Sequence, residues 1–115
     1  MEHHGSRGLW LLQAVSGISL VLLVGLHWLA QHYLASGGLR SYAEVAAYLR
    51  QPLFLGLETA FLVVVTGHAL TGMRSMAVDL GLHPKLQRSL DTSLCTAGLL
   101  TVLYGLQLTW QIIHQ

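Results

Sequence analysis

The sequence predicts an all-α integral membrane protein, with three transmembrane helices and a short amphipathic surface helix between the first and second. Three observations predict it. The chain of 115 residues is 53% hydrophobic and only 10% charged, where a soluble domain carries about 25% charged residues. It holds three apolar stretches, each long enough for the roughly 20 residues that a bilayer crossing needs. A polar segment with a helix-start signal lies between the first two. Mean hydropathy is +0.56.

The first span is expected over about 9–33. Its apolar part, Leu9 to Ala30, holds no Lys, Arg, Asp or Glu. That run is longer than the roughly 7–15 apolar residues of a secretory leader, and further spans follow it, so it reads as a membrane helix. Residues 31–51 are polar enough to leave the hydrocarbon. Within them Ser41-Tyr42-Ala43-Glu44 has the capping-box pattern, a serine N-cap with glutamate three residues on. Tyr42, Val45, Ala46 and Leu49 then recur at helical spacing as an apolar stripe. A surface helix over about 41–50 follows, lying on the membrane and closed by Arg50 and Pro52. The second span covers about 52–79, with Glu58 near its start and Arg74 near its end. Gly81 to Ser89 reads as a short connection carrying Lys85 and Arg88. The third span covers about 89–113, with Asp91 in its first turn. Residues 1–115 thus make a single membrane domain. Three helices of a soluble bundle would keep a polar face, and these barely do.

Six Lys+Arg against five Asp+Glu give a net charge of +1, too little for a nucleic-acid footprint. One cysteine, Cys95, excludes an internal disulfide and reads as a small packing residue. Arg7, Lys85 and Arg88 fall on the N-terminal side of the bilayer, with Arg74 near it. Arg40 and Arg50 fall on the other side. The positive-inside rule therefore places the N-terminus in the cytoplasm and the C-terminus outside. Trp10, Trp28, Tyr33, Tyr42 and Trp110 fit an aromatic belt at the two interfaces.

Ionisable groups inside a span are expensive, and so they are candidates for function. The seven histidines outnumber either class of charged residue. In the second span His68 and Gly72 sit one turn apart on one face. His68 and Asp79 share that face within about 20°, and Arg74 lies about 120° away. A histidine at this depth is open to three roles: axial ligand of a haem, hydrogen-bonded packing residue or proton relay. Gly67, Ala69, Thr71 and Gly72 offer the small-residue surface that a flat macrocycle needs, and small residues equally line ordinary helix interfaces. In the first span Ser16 shares a face with His27, while His32 points elsewhere at the interface. His27 is roughly 27 Å from the cytoplasmic start of its helix, and His68 roughly 15 Å from the cytoplasmic end of the next. They cannot ligate one haem together.

The run His68-Ala69-Leu70-Thr71-Gly72-Met73-Arg74-Ser75-Met76-Ala77-Val78-Asp79 resembles the second-helix signature of succinate dehydrogenase and fumarate reductase (complex II) membrane anchor subunits. That signature sets glycine four after a histidine, often arginine two further, and aspartate eleven after the histidine. The three-span architecture and the Val15-Ser16-Gly17 start of the first helix look like the same family. The resemblance covers nearly the whole chain and implies the smaller anchor type. It implies a haem b ligand at His68, clearance for the haem at Gly72, and a propionate or quinone-side cation at Arg74. Ser16 joins the cofactor-binding residues, and Asp79 with Ser75 falls near a cytoplasmic quinone site. Some members carry two stacked haems, which implies one haem b or two here, with His27 as the second ligand. Leu80 stands where smaller anchors often have tyrosine, and Gln13-Ala14 where larger anchors have a basic pair. Most direct quinone hydrogen bonds are therefore expected from a sister anchor.

The expected function follows from this resemblance: an anchor passing electrons from an iron–sulfur subunit to ubiquinone or menaquinone in the cell inner membrane. The expected partners are the larger anchor, the iron–sulfur subunit, the flavoprotein and membrane lipid. The chain shows no nucleotide-binding glycine pattern and no clustered cysteines of its own, and no catalytic residue is assigned. Two rivals stand beside this. One is a haem-free structural or quinone-binding anchor. The other is a proton-conducting subunit using Glu58, His68, Arg74 and Asp79, which the apolar middle of the third span disfavours, since Ala97 to Gly105 offers only Thr101 and Tyr104.

Overall fold

A computed structural model describes residues 3–34 and 41–115, with side chains from Arg7 onward. The described residues are all-helical. Helix α1 spans His3–Leu29 and widens into a π-helical turn over Ala30–Leu34. Helices α2 (Tyr42–Leu49), α3 (Pro52–Asp79) and α4 (Pro84–His114) follow. α1, α3 and α4 are each long and apolar enough to cross a membrane. Arg40, one of the two bases expected on the far side, lies outside the described residues.

The local starts and stops obey simple chemistry. Ser41 caps α2 by accepting from the Glu44 amide at 3.2 Å, and the Glu44 carboxylate accepts from the Ser41 amide at 2.8 Å. Pro52 opens α3 where no amide donor is needed. α3 stops at Asp79 with Leu80 as its C-cap, and Gly81 follows with a φ of +65, the left-handed turn that glycine takes without a Cβ clash. The connection expected over Gly81 to Ser89 is mostly helix. α4 begins at Pro84, because His83 caps it through Nδ1 and proline suits the first turn.

α3 is the central helix, packed against α1 on one side and α4 on the other. α2 lies across the far end of the bundle, against the start of α3 and the end of α4. There Ala30, Tyr48 and Leu49 form a small buried cluster with Val45, Phe54, Leu57, Ile112 and Ile113 around it. Tyr48 stacks on Phe54 with ring centroids 4.5 Å apart. Tyr42 departs from the expected stripe. It is exposed, and its hydroxyl donates to Gln115 Oε1 at 2.6 Å. Along the three long helices most large apolar side chains face outward, as lipid or a partner membrane subunit requires.

α3 and α4 mesh through glycine notches. A Cβ at Gly98 would overlap Leu70, and one at Gly105 would come within 2.6 Å of Leu62 Cδ2. With no hydrophobic drive between helices in lipid, such close packing carries the association. Gly98→Leu and Gly105→Leu are each expected to destabilise the bundle by about 1–3 kcal/mol through overpacking. Loss of helical circular dichroism on heating in detergent would come earlier in both. Gly56→Ala, where a Cβ meets open space, is the control and is expected to melt no earlier than wild type.

Candidate functional site

Three polar layers cross the bundle, and all of them use α3. The first joins α1 to α3 around His68. The imidazole Nδ1 lies 2.8 Å from Ser16 Oγ, and Ser16 in turn donates to the Gln13 carbonyl at 3.1 Å. Ser16 is therefore an acceptor toward the ring, so Nδ1 carries the proton and Nε2 the lone pair. Nε2 faces the Gln13 side-chain nitrogen at 3.5 Å, a long contact. Thr71 donates to the other end of that amide, Gln13 Oε1. Gly72 faces the same amide, since a Cβ there would come within 2.9 Å of Gln13 Nε2. Of the small residues beside His68, Thr71 and Gly72 are thus covered by α1, whereas a Cβ at Gly67 would meet open space and Ala69 borders a cavity toward α4.

The second layer joins α3 to α4, nearer the α1 N-terminal end. Arg74 donates from Nε to Asp91 Oδ1 at 3.0 Å, and Gln87 Nε2 donates to the same oxygen at 3.0 Å. Arg74 borders two cavities. One, about 320 Å³, opens between α1 and α3 and is lined by Leu9, Trp10, Gln13, Arg74, Ser75, Val78 and Asp79. The other, about 400 Å³, lies between α3 and α4, with Leu70, Leu94 and Cys95 among its walls. Arg74, Ser75 and Asp79 therefore meet around one opening, one turn or more from His68. Ser75 donates to the Thr71 carbonyl at 2.9 Å.

The third layer sits at the far end. His27 Nδ1 lies 2.7 and 2.9 Å from the two Glu58 oxygens, and Tyr48 donates to Glu58 Oε1 at 2.6 Å. Phe61 covers the imidazole, with ring centroids 4.9 Å apart. Among the described residues no hydrogen bond reaches His27 Nε2. Glu58 and His68 are ten residues apart on α3, so the two imidazoles are separated by about 15 Å along the bundle. No three His, Cys, Asp or Glu come together among the described residues.

These arrangements now have a context. The family described as succinate dehydrogenase/fumarate reductase transmembrane subunit matches residues 2–107. The chain belongs to this family. It is 33% identical over 103 residues to the succinate dehydrogenase hydrophobic membrane anchor subunit of Archaeoglobus fulgidus, covering 90% of this chain and 87% of that one. It is 25% identical over 93 residues to the subunit of the same description from Thermoplasma acidophilum, covering 81% of this chain and 76% of that one. No solved structure matches it. Family membership and the three apolar helices make it a multi-pass membrane anchor of the succinate dehydrogenase type, consistent with the smaller subunit.

Sequence reasoning singled out His68, Ser16, Gly72, Arg74, Ser75, Asp79 and His27. It did not pair His27 with Glu58, His68 with Ser16, or Arg74 with Asp91, and it gave Tyr48 no part. Burial first, then the hydrogen bond and charge of Glu58, push the Tyr48 phenol up, above its ordinary value of about 10. A raised folded pKa means that the proton is held more tightly in the folded state. Its stabilisation is full below pH about 10 and is lost as pH climbs through the folded value. Phenolate absorbance is therefore expected to show a late-titrating tyrosine that Tyr48→Phe abolishes. A difference titration with its missing step at or below pH 10 would refute the coupling.

Proposed function

We propose that this anchor holds haem b through His68 Nε2 and helps to form a quinone site, so that electrons pass from an iron–sulfur subunit to quinone. The observation that carries the proposal is the asymmetry of the His68 ring. Metal-binding histidines fix one nitrogen on a protein acceptor and offer the other. Ser16 holds Nδ1 at 2.8 Å, whereas Nε2 has only the 3.5 Å contact to Gln13. The donor chemistry fits a haem, provided the flexible Gln13 side chain turns away from Nε2 and Gly72. A further ligand would have to come from a partner subunit, since among the described side chains no other histidine lies at that level. When bound, haem b supplies a one-electron store within the membrane.

The chain's own residues do the rest. Ser16 sets the tautomer and orients the ring. The cavity between α1 and α3 receives a quinone head group, with Arg74 as cation and Ser75 and Asp79 at its rim. His27 repeats the arrangement at the far end, its Nδ1 held by Glu58 and its Nε2 free among the described residues, which supports a second haem. Arg7, Lys85 and Arg88 cluster at one end, which supports a cytoplasmic N-terminus and placement in the cell inner membrane beside the flavoprotein and iron–sulfur subunits.

A second reading is favoured by one observation: the Gln13 amide already covers both His68 Nε2 and Gly72. In that reading the chain is a haem-free structural or quinone-binding anchor. Spectra of the purified complex decide between them. Sharp reduced bands of low-spin haem are expected, with His68→Ala removing those of one haem while dye-linked succinate oxidation persists. A full spectrum in that variant overturns the ligand assignment. Pyridine haemochrome counting should give two haems, falling to one in His27→Ala, and a count of one in wild type removes His27 from the ligand set.

A further inference from the structure

We propose that Asp91 is a positioning residue for Arg74, fixing its guanidinium at the mouth of the α1–α3 cavity for hydrogen bonding to a quinone oxygen. The proposal rests on the quinone reading of that cavity. Arg74 lies about a third of a turn from the His68 face and borders both the α1–α3 and the α3–α4 cavity, so left alone its long side chain would be free to swing between them. Asp91 arrests it by taking Nε at 3.0 Å. A guanidinium has five N–H donors in a rigid plane. Binding one edge to a carboxylate sets the direction of that plane and leaves the four Nη hydrogens. Among the described residues none of these has a hydrogen-bond partner, while Arg74 forms part of the cavity wall.

Asp91 is itself restrained. Gln87, one turn earlier on α4, donates to the same Oδ1 at 3.0 Å. The carboxylate is thus held from its own helix while it holds a residue of another. The pair also neutralises a cation next to hydrocarbon, where a lone charge is costly. An immobilised donor loses less freedom on ligand binding than a mobile one, so its contribution appears in affinity. A mere staple between α3 and α4 would affect assembly and stability but not quinone affinity.

The test uses the assembled complex in native membranes, with decylubiquinone and menadione as acceptors and phenazine methosulfate as the quinone-independent control. Asp91→Leu is expected to raise the KM of the accepted quinone about ten-fold with little change in kcat or in dye-linked activity. Asp91→Asn keeps the Oδ1 acceptor and is expected to raise KM only about three-fold. Arg74→Gln should match Asp91→Leu, and the double variant should be no worse than either, as residues acting in series require. If Arg74→Gln raises KM and Asp91→Leu does not, the positioning role is overturned and the quinone reading stands. If neither moves KM, both fall. Should Asp91→Leu fail to assemble, Asp91→Asn decides: a raised KM at constant kcat supports the role, and an unchanged KM overturns it.

Discussion

A polar side chain in hydrocarbon has no water to turn to, so the protein itself must satisfy it. This constraint organises the molecule. His68, Thr71 and Arg74, with Glu58 nearer the far end, give α3 its polar groups, and each finds its partner on a neighbouring helix. Individually such bonds are weak, averaging about 0.6 kcal/mol within membranes. Their effect on register is larger than their sum suggests. Ser16 and His27 are eleven residues apart on α1, and His68 and Glu58 ten apart on α3. Because the helices run antiparallel, the Ser16–His68 and His27–Glu58 pairs form together. Sliding α1 by one turn, about 5.4 Å, would strand both imidazoles at once and leave Glu58 with Tyr48 alone.

The same logic divides the surface of the bundle. The His68, Arg74 and Glu58 groups point into the α1–α3 and α3–α4 seams, and the glycines of α4 let Leu62 and Leu70 seat without a polar contribution. Outward hydroxyls such as Thr92, Ser93, Thr96 and Thr101 donate to carbonyls of their own helix. What remains outside is a mostly apolar coat, rich in leucine, valine and tryptophan, with hydroxyls on α4 satisfied by their own helix. A membrane anchor needs such a coat, since its other contacts are lipid and neighbouring membrane subunits. α2 differs in kind. Its residues Ala46, Tyr48 and Leu49 are buried against protein, and its capping box fixes where it starts. Through Tyr48 it also reaches into the bundle to touch Glu58, which ties the surface helix to the third polar layer.

The spans, the capping box and the polar face of the second membrane helix were legible because each depends on residues close in sequence. Periodicity alone puts Ser16 with His27 on one face, and His68 with Asp79 on another. It does not say that these two faces meet. Glu58 illustrates the loss: its position near the start of a span is visible, but its bonds come from α1 and α2. Asp91 is similar, legible as a first-turn acid of a helix and not as the partner of a residue seventeen positions earlier. Tyr48 rather than Tyr42 takes the buried side of α2, because its ring stacks on Phe54 and its hydroxyl reaches Glu58, partners on another helix that helical spacing cannot foresee. The start of α4 is a different failure. Lys85, Gln87 and Arg88 read as a loop by polarity, while His83-Pro84 carried the stronger, local signal for a helix start.

The two imidazoles share an asymmetry that bears on what the anchor can hold. In each, Nδ1 is fixed by an oxygen of the protein, Ser16 Oγ for His68 and the Glu58 carboxylate for His27. In each, Nε2 is the less committed nitrogen. Fixing Nδ1 costs a polar partner in lipid, and the chain spends a serine and a glutamate to do it. The two partners differ in charge. A carboxylate on Nδ1 pushes electron density into the ring and makes Nε2 the stronger donor, which a hydroxyl does far less. If both nitrogens ligate iron, the site near Glu58 is the one with the more electron-rich ligand, and its reduction potential lies below that of the site near Ser16 for the same partner ligand. The polar layers that hold the helices in register would then also set the direction in which electrons prefer to rest.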